Sequence, residues 1–229
     1  MKKYLGIVLS YKRPKNISRI CKTLIKSDIL DKLIVSNNNP DINILDFIKF
    51  KHPKLEITNQ STHKNSSYRF VIAKPLMNKY DGYVFIDDDI FLTTKQIIQL
   101  KTELEKAPNA IHGFFGMNIE IDKGNILFEE GKINANKHVD VINRVYFFNL
   151  TSLKRYYSLL SKIDVDVNQV GFCDDIILSM ASKEKPFCHD IGDYEDCPSS
   201  NIEGVALWLE DDFYTERKTM LSRILDLKT

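Results

Sequence analysis

Apolar runs alternate with amphipathic stretches along the first half of the chain. Residues 5–10 form a continuous apolar run, which is typical of a parallel strand buried on both faces. Residues 17–25 place apolar side chains at helical spacing, and a second apolar strand covers 32–35. This order of strand, helix and strand predicts the start of an open parallel sheet.

The pattern continues through weaker elements to a third apolar strand. A helix is expected around 44–50, a short strand around 55–57 and a polar loop over 61–67. The strand predicted at 83–86 ends directly in three aspartates, and a helix with one apolar face opens at Thr93. Strands and helices therefore keep alternating up to this point.

The second half of the chain contains longer predicted elements. Strands are expected over 110–118 and 139–150, and helices over 151–161 and 174–182. A polar segment at 192–205 is long enough to be an active-site loop rather than a simple connection. The chain is therefore predicted to be an α/β protein with a Rossmann-like open mixed sheet flanked by helices.

Composition limits the domain count and the class of partner. With 229 residues, of which 43% are hydrophobic, the chain can bury one core, so a single domain spanning 1–229 is expected. Its 32 basic and 31 acidic residues give a net charge of +1, which argues against a nucleic-acid partner. No apolar run approaches the ~20 residues of a transmembrane helix, and the N-terminus lacks a signal-peptide pattern. The four cysteines show no C-x-x-C spacing, so a cytoplasmic location is expected.

Polar side chains directly follow three predicted strands, at 11–13, 37–39 and 87–89. Ligands bind outside the carboxyl ends of the strands in open α/β sheets, so these residues are candidates for a site. The asparagines at 37–39 offer amide groups to a base or ribose, and Arg13 offers a guanidinium to phosphate or base. An ordinary turn and a solvated helix start are the alternative interpretations.

The three adjacent aspartates are the strongest of these features. Asp87, Asp88 and Asp89 repel one another unless a cation neutralises them, and Mg²⁺ or Mn²⁺ prefers oxygen ligands of this kind. If the strand geometry continues, Asp87 and Asp89 point the same way and form a D-x-D metal site. A solvated turn that caps the next helix is the alternative interpretation.

A second acidic motif, Asp174-Asp175, precedes an apolar helical stretch. A carboxylate at a helix N-terminus is stabilised by the free backbone N–H groups, so one aspartate is expected to cap the helix. The other is then free to support positive charge on an anomeric carbon or to bind an acceptor hydroxyl. A double cap remains an equal alternative.

These motifs, in their order along the chain, resemble the exostosin family of GT-A glycosyltransferases. The resemblance is to the domain that transfers N-acetylhexosamine in heparan-type synthesis, and it extends over most of the chain. The segments that carry it are Ile7-Val8-Leu9-Ser10-Tyr11-Lys12-Arg13, Lys32-Leu33-Ile34-Val35 with Asn38-Asn39, Phe85-Ile86-Asp87-Asp88-Asp89, Ile111-His112-Gly113-Phe114 and Cys173-Asp174-Asp175-Ile176. Trp208 and Arg217 are also separated as a Trp and an Arg are in that family.

The resemblance implies a GT-A fold and a set of residue roles. The side chains implied to bind the nucleotide sugar are Tyr11, Arg13, Asn38, Asn39, Arg69, Asp87, Asp88 and Arg217. Asp89 and Asp87 would hold Mn²⁺ or Mg²⁺, and Asp175 with Asp174 would be the catalytic carboxylates. The family retains the anomeric configuration, and a UDP-sugar donor carrying N-acetylhexosamine is expected.

Residues late in the chain have two interpretations each. His189 stands where other GT-A enzymes place a metal-binding histidine, but it also suits a structural role. Trp208 is suited either to stack on an acceptor sugar or to anchor the C-terminal helix in the core. Arg217, Lys218 and Arg223 offer a peripheral contact with anionic lipid at the inner face of a membrane, or simply an exposed charged face.

Together these features predict a metal-dependent glycosyltransferase that acts on a saccharide or lipid-linked glycan acceptor, in polysaccharide or glycolipid synthesis. A sugar-nucleotide pyrophosphorylase is one alternative, but it needs a glycine-rich first loop, and residues 10–14 contain no glycine. A catalytically silent glycan-binding domain is another, and the intact Asp87, Asp89 and Asp175 argue against it. Family members usually have a Golgi membrane anchor, so this short chain without one is expected to be a microbial relative.

Overall fold

A computed structural model of the chain describes residues 2–129 and 131–227. The ends of the predicted domain, Met1 and Thr229, lie outside the described residues. The described residues form three layers, in which one large sheet lies between two layers of helices.

Helices and strands are numbered in chain order, and short 3-10 turns are left unnumbered. The helices are α1 (Pro14–Lys26), α2 (Tyr68–Ala73), α3 (Thr94–Lys106), α4 (Leu150–Lys162), α5 (Asp174–Met180) and α6 (Phe213–Asp226). The strands are β1 (Tyr4–Ser10), β2 (Lys32–Asn37), β3 (Leu55–Asn59), β4 (Gly82–Ile86), β5 (Ile90–Phe91), β6 (His112–Gly113), β7 (Phe115–Met117), β8 (Ile119–Asp122), β9 (Asn125–Phe128), β10 (Lys132–Ile133), β11 (Lys137–His138), β12 (Val141–Ile142), β13 (Val145–Asn149), β14 (Phe187–Cys188) and β15 (Glu195–Asp196).

The central sheet has eight strands in the order β11-β14-β6-β13-β4-β1-β2-β3. β1 pairs in parallel with β2 and β4, and β2 pairs in parallel with β3, as the alternation of strands and helices predicted. β13 runs antiparallel to β4, which makes the sheet mixed. The carboxyl ends of β1, β2 and β4 meet at one edge, where the polar residues of 11–13, 37–39 and 87–89 emerge.

Both faces of the sheet are buried, which explains the continuous apolar runs in the sequence. Along β1, Leu5 and Ile7 pack into one core and Tyr4 and Val8 into the other. Helices α1 and α3 cover the face of Tyr4 and Val8, whereas α2, α4, α5 and α6 cover the opposite face. The predicted α/β class, an open mixed sheet flanked by helices, is confirmed.

Local side-chain chemistry sets the starts of the main helices. Helix α3 begins with a capping box, in which the Gln96 N–H donates to Thr93 Oγ1 and Gln96 Oε1 accepts from the Thr93 N–H. Helix α1 has Pro14 in its first turn, and the Asn149 side chain caps α4. These signals are local, which is why the sequence predicts these helices well.

Three predicted elements are shorter or divided in the structure. The helix expected at 44–50 is a single 3-10 turn, Ile44–Asp46, because helix nucleation is costly and so short a segment gains few helical hydrogen bonds, even though Ile44 and Ile48 are buried. The strand expected at 110–118 is divided into β6, in the main sheet, and β7, in a second sheet with β10 and β12. The strand expected at 139–150 is interrupted by a turn at Arg144, whose φ of +63° lies in the left-handed region.

A hairpin of β8 and β9 was not predicted. Its strands pair antiparallel, with Ile119 opposite Phe128 and Ile121 opposite Ile126. The turn residue Gly124 has a φ of +85°, a conformation that glycine adopts without strain. In the described part of the chain, no helix combines the length and the apolar character that crossing a bilayer requires.

Candidate active site

A cavity of about 1090 Å³ lies over the carboxyl ends of β1, β2 and β4. Ten of the twelve side chains singled out from the sequence line this cavity, namely Tyr11, Arg13, Asn38, Arg69, Asp87, Asp88, Asp89, Asp174, Asp175 and Arg217. The other two, Asn39 and His189, do not line it. Residues far apart in the sequence are thus brought together at the edge where the parallel strands end.

Arg13 and Asp88 form a buried ion pair at the end of β1. Arg13 Nη1 lies 2.9 Å from Asp88 Oδ1, and the Tyr11 N–H donates to Asp88 Oδ2 at 3.1 Å. Burial raises the pKa of Asp88 to about 6, and the charge of Arg13 and the Tyr11 N–H act in the opposite direction. Arg13 Nε also donates to Ser199 Oγ at 2.9 Å, which joins this pair to a segment late in the chain.

Arg69 joins the two acidic motifs. Its Nη2 donates to Asp87 Oδ1 at 2.7 Å, and its Nε lies 3.4 Å from Asp174 Oδ2. The Ser66 hydroxyl donates to Asp174 Oδ1 at 2.7 Å. Burial raises the pKa of both aspartates, that of Asp174 to about 6, and the charge of Arg69 opposes the rise in each case.

Arg144 neutralises the third aspartate of the strand end and was not predicted. Its Nη2 lies 2.9 Å from Asp89 Oδ1 and 2.5 Å from Asp196 Oδ1. The Ser200 hydroxyl is within hydrogen-bonding distance of both carboxylates, at 3.2 and 2.8 Å. Burial acts to lower the pKa of Arg144, but the hydrogen bond to Asp196 and the charge of Asp89 outweigh it and raise the pKa.

Asp175 accepts four hydrogen bonds and forms a bidentate pair with Arg217. Arg217 Nη1 and Nη2 donate to Oδ1 and Oδ2 at 2.7 and 2.9 Å. The Ile176 N–H donates to Oδ1 at 2.7 Å, and the Asn143 amide donates to Oδ2 at 2.5 Å. The carboxylate is therefore fixed in both position and orientation.

Two interpretations of these residues from the sequence are wrong. Neither Asp174 nor Asp175 caps α5, because the N-cap residue is Cys173 and both aspartates lie in the first turn with arginine partners. Arg217 is buried against Asp175, so it does not share an exposed basic face with Lys218 and lies too deep to meet a lipid surface.

The four arginines and five aspartates are called the ionic cluster below. Its members are Arg13, Arg69, Arg144, Arg217, Asp87, Asp88, Asp89, Asp174 and Asp175. The repulsion among the strand-end aspartates is relieved by Arg69 at Asp87, by Arg13 at Asp88, and by Arg144 together with Arg13 at Asp89. The cluster therefore keeps charged groups in a buried place, where their field is strong.

A divalent metal ion at this strand end would bind the open oxygen of Asp87 and share Asp89 with its present partners, among them Arg144 at Oδ1 and Ser200 at Oδ2. Asp87 Oδ1 accepts from Arg69, and no described residue donates to Asp87 Oδ2. Hard cations take one or two carboxylates and fill the other positions with water and substrate phosphates. Within residues 2–129 and 131–227, no group of three or more His, Cys, Asp or Glu side chains is arranged as a metal site. An ion here would therefore take its remaining ligands from a diphosphate and water.

The two predicted asparagines have different surroundings. Asn38 lines the cavity, where its Oδ1 accepts from the Ser36 hydroxyl at 2.8 Å and its amide donates to the Asn65 carbonyl at 3.2 Å. Asn39 lies behind the wall, and its Oδ1 accepts from the Asp41 N–H at 3.0 Å. The turn interpretation thus suits Asn39, while Asn38 is positioned to contact a ligand.

His112 and His189 form a buried pair that we call the histidine pair. His112 Nδ1 lies 2.8 Å from His189 Nε2, and His112 Nε2 lies 2.7 Å from the Ala107 carbonyl. Because a carbonyl only accepts, His112 Nε2 carries a hydrogen, so in the neutral ring Nδ1 accepts from His189. Burial lowers the pKa of His189 to about 4 and also lowers that of His112. The Nε2 atom of His189 is thus engaged by a neighbouring ring.

The loop predicted at 192–205 is held against the N-terminal half of the chain. Its strand β15 pairs antiparallel with β5, and Lys12 Nζ donates to the Gly204 carbonyl at 2.5 Å. Just after the loop, Trp208 Nε1 donates to the Ser200 carbonyl at 3.0 Å. Trp208 is exposed and lines the cavity, so it does not anchor the C-terminal helix in the core.

Sequence reasoning missed several residues of this site. Arg144, Asn143 and Asp196 all line the cavity and all bind members of the ionic cluster or each other. The polar pair Asn143-Arg144 interrupts an otherwise apolar run, and that interruption was the available sign of a turn. Asp196 had no comparable local signal.

Comparisons with known proteins address the fold and the family. No curated protein shows a significant match. The structure of TarS residues 1–349 from S. aureus is 13% identical, with a TM-score of 0.57 over 97% of this chain and 70% of that chain. A CMP:2-keto-3-deoxy-manno-octonic acid synthetase complexed with CTP is 10% identical, with a TM-score of 0.47 over 69% of this chain and 78% of that chain.

At such low identity the TarS match shows the fold alone, and with it the predicted GT-A fold class is confirmed. The family is shown by a different comparison. The model described as glycosyl transferase family 64 domain matches residues 5–226, which is nearly the whole chain. The chain therefore belongs to glycosyl transferase family 64, and it is a glycosyltransferase.

Proposed function

We propose that this glycosyltransferase moves an N-acetylhexosamine from a UDP-sugar to a hydroxyl of a saccharide or lipid-linked glycan, with Mn²⁺ or Mg²⁺ and with retention of configuration. The observation that carries the proposal is the ionic cluster, which brings the strand-end carboxylates, arginines and a fixed aspartate into one cavity. The donor sugar and the retention rest on the exostosin resemblance of the sequence.

The nucleotide end of the donor is assigned to the wall formed by β1 and β2. Tyr11 and Asn38 offer an aromatic ring and an amide to the base and ribose, and Arg13 offers a guanidinium to phosphate. Arg13 and Asn38 are already held by an ion pair and a hydrogen bond, so their side chains lose little conformational entropy when the donor binds.

The diphosphate is assigned to the space between the Asp87-Asp88-Asp89 strand end and Arg217. A divalent ion bound by Asp87 and Asp89 would supply charge neutralisation to the departing diphosphate. Arg217 reaches the same cavity with its Nε atom buried and without a hydrogen-bond partner in the described part of the chain.

Asp175 is assigned to the reacting carbon of the donor sugar. Its carboxylate is fixed by Arg217, Asn143 and the Ile176 N–H, so its charge is oriented before the substrate arrives. A preorganised charge of this kind stabilises positive charge that develops on an anomeric carbon. In the transfer, the bond from that carbon to the diphosphate oxygen breaks with its electrons on the oxygen, the acceptor oxygen bonds to the carbon, and the acceptor proton passes to the diphosphate.

Thermal stabilisation by a UDP-sugar tests the metal assignment. A donor at a hundred times its Kd should add about 2.7 kcal/mol, which raises Tm by roughly 5–10 °C in a chain of this size. We expect this shift with Mn²⁺ and not in chelator, and we expect Asp89→Ala and Asp89→Asn to abolish it. Asp41→Ala removes an exposed carboxylate outside the cavity and should keep the full shift.

An equal shift in chelator, or a full shift in both Asp89 variants, would contradict the metal assignment. Each shift is measured against the same variant without ligand, so a lower starting Tm does not affect the comparison. Release of UDP in the presence of an acceptor panel then tests transfer itself.

A further inference from the structure

The cavity has two different walls. The ionic cluster forms the inner wall, whereas the outer wall carries aromatic and aliphatic side chains, among them Phe128, Ile133, Leu207, Trp208, Phe213 and Tyr214. Arg217 lies at the boundary, because its guanidinium carbon is 5.4 Å from the centre of the Phe128 ring and 4.9 Å from that of Phe213. A ligand that crosses this boundary moves from charged to apolar surroundings.

Exposed apolar side chains are concentrated around the outer wall. Among the described residues, ten large apolar side chains are exposed, and four of them line the cavity: Ile133, Leu207, Trp208 and Tyr214. One more, Ile121, lies on the hairpin whose last residue, Phe128, is part of the same wall, whereas the exposed Leu127 pairs with Glu120 on the opposite face of the hairpin. An apolar concentration of this kind on a protein surface marks a binding site.

The hairpin extends the apolar surface outward from the cavity. Directly paired residues of antiparallel strands share one face, so the pairs Ile119–Phe128 and Ile121–Ile126 put four apolar side chains on the same face. Phe128 lies in the cavity wall, and Ile121, which is 56% exposed, continues the surface toward the turn. Ile126 is buried in the core and Ile119 and Phe128 are partly buried against it, so the apolar strip consists of the partly open Phe128 at the cavity and the exposed Ile121 near the turn.

The cavity is large enough for more than the donor. Its volume of about 1090 Å³ exceeds the ~300–1,000 Å³ typical of a site for one small molecule. The donor's charged groups belong with the ionic cluster, which leaves the apolar wall to the second substrate. The aromatic rings of this wall can stack on a sugar, but the aliphatic side chains Ile133 and Leu207 offer no hydrogen bond to sugar hydroxyls and are better matched by a hydrocarbon chain.

Exposed carboxylates outnumber exposed basic groups on the hairpin and in the segment just before α6. The carboxylates are Glu120, Asp122, Glu203, Glu210, Asp211 and Asp212, and the hairpin turn also carries the exposed Lys123. An anionic bilayer would be repelled by this excess of negative charge, since membrane-surface segments are basic. The charge pattern favours one uncharged amphiphile entering the cavity over a membrane lying across it.

We propose that the outer wall binds a hydrocarbon chain attached to the acceptor sugar, so that the acceptor is an uncharged glycolipid-type amphiphile. This inference rests on the proposed function, because it assigns the acceptor half of the same cavity. The sugar lies next to the ionic cluster, and the chain runs past Phe128 and Trp208 along the strip. Each methylene buried there increases the affinity about fourfold.

Trp208 allows a direct test, because it is the one tryptophan in the sequence and it lines the outer wall. Titration with n-octyl β-D-glucopyranoside, below its micelle concentration, should shift the tryptophan emission to shorter wavelength with saturation. Methyl β-D-glucopyranoside carries the same sugar without the chain, and we expect it to bind at least tenfold more weakly.

A matched pair of double variants separates the strip from general surface hydrophobicity. Ile121→Asn with Leu207→Asn removes one residue of the strip and one of the outer wall, which are 56% and 41% exposed, and should weaken octyl glucoside binding at least fivefold. Leu45→Asn with Ile98→Asn removes residues that are 50% and 44% exposed but lie outside the cavity wall, and should leave binding unchanged. Because all four side chains are exposed, neither variant is expected to unfold.

Equal binding of methyl and octyl glucosides, or equal loss in the two double variants, would overturn the inference. So would an emission shift that occurs only with phosphatidylcholine vesicles and not with octyl glucoside monomers. None of these titrations needs donor, metal or turnover. If octyl glucoside does not bind as expected, the thermal shift with a UDP-sugar and metal is unaffected. If that thermal shift is absent, the octyl glucoside titration can still be interpreted.

Discussion

The ionic cluster and the histidine pair are both buried groups of ionisable side chains, but they meet the cost of burial in opposite ways. In the ionic cluster, burial raises the pKa of Asp87, Asp88 and Asp174, and arginine partners act to keep them charged. In the histidine pair, burial lowers the pKa of both rings, which remain neutral and hydrogen-bonded. The ionic cluster thus retains buried charges, whereas the histidine pair avoids them.

The difference between the two groups concerns their contribution to the stability of the folded protein. A buried ion pair often contributes little net stability, since the desolvation of both charges offsets their attraction. A neutral hydrogen-bonded pair satisfies the same polar atoms at lower cost. The charges of the ionic cluster therefore call for a reason other than stability, and binding of a charged donor supplies one.

The largest expected effect comes from breaking one ion pair of the ionic cluster. Arg217→Ala leaves Asp175 buried without its partner, so we expect a loss of about 3–5 kcal/mol in the free energy of unfolding. Asp175→Asn with Arg217→Met removes both charges and should recover most of that stability while sugar transfer stays lost. Urea unfolding and UDP release measure the two quantities.

Asn143 makes the double variant a fair test. Its Oδ1 has no hydrogen-bond partner among the described residues, so a flipped Asn143 amide can accept from the new amide at position 175. A double variant less stable than Arg217→Ala would show that the pair is a net source of stability, and the contrast with the histidine pair would then fail.

An intermediate effect is expected from titrating the histidine pair. The folded-state pKa of His189 is about 4 and its unfolded value about 6.5, so the unfolded chain binds the proton first as the pH falls. The free energy of unfolding should therefore decrease between pH 6.5 and 4, by up to about 3 kcal/mol, and this contribution should be constant above that range. His189→Gln should remove it.

Urea unfolding across pH 4 to 7 gives the free energy of unfolding at each pH. The contribution of His189 is the difference between the parent chain and His189→Gln in how steeply that free energy falls with pH. If parent and His189→Gln lose stability in parallel as the pH falls, the neutral pair is not the source of the dependence.

The smallest effect is expected at an exposed pair with the same chemistry as the ionic cluster. Arg19 and Glu195 form a bidentate contact, with both side chains more than half exposed to solvent. Because water solvates both charges, Arg19→Gln should change Tm by less than about 2 °C, at low and at high salt. A decrease as large as that in Arg217→Ala would show that burial is not what separates the two kinds of pair.

The sequence was sufficient for the parts of the molecule that local rules control. The buried strands at 5–10, 32–35 and 83–86 were visible as apolar runs, and the helix after Thr93 was visible through its cap. Because ligands bind at the carboxyl ends of strands in open α/β sheets, the sequence also predicted that Arg13, Asn38 and the three aspartates share one edge of the sheet. Residue roles at that edge, including the metal, stay predictions.

Long-range pairing was beyond the sequence. The partners of Asp87 and Asp89 are Arg69 and Arg144, which lie 18 and 55 residues away along the chain, and no periodicity connects them. The hairpin of β8 and β9 was missed because its apolar residues alternate over only a few positions. The position of this hairpin beside the cavity is set by tertiary packing, which no local sequence pattern reports.

The turn between β12 and β13 has a further consequence. Asn143 and Arg144 are adjacent, yet one donates to Asp175 and the other to Asp89, so two consecutive residues hold the carboxylates assigned to the sugar carbon and to the metal. The turn therefore helps to set the spacing between those carboxylates, together with Arg217 at Asp175 and Ser200 at Asp89. A relative with an inserted residue there would hold them further apart or reorient one of them, and would suit a donor of different size.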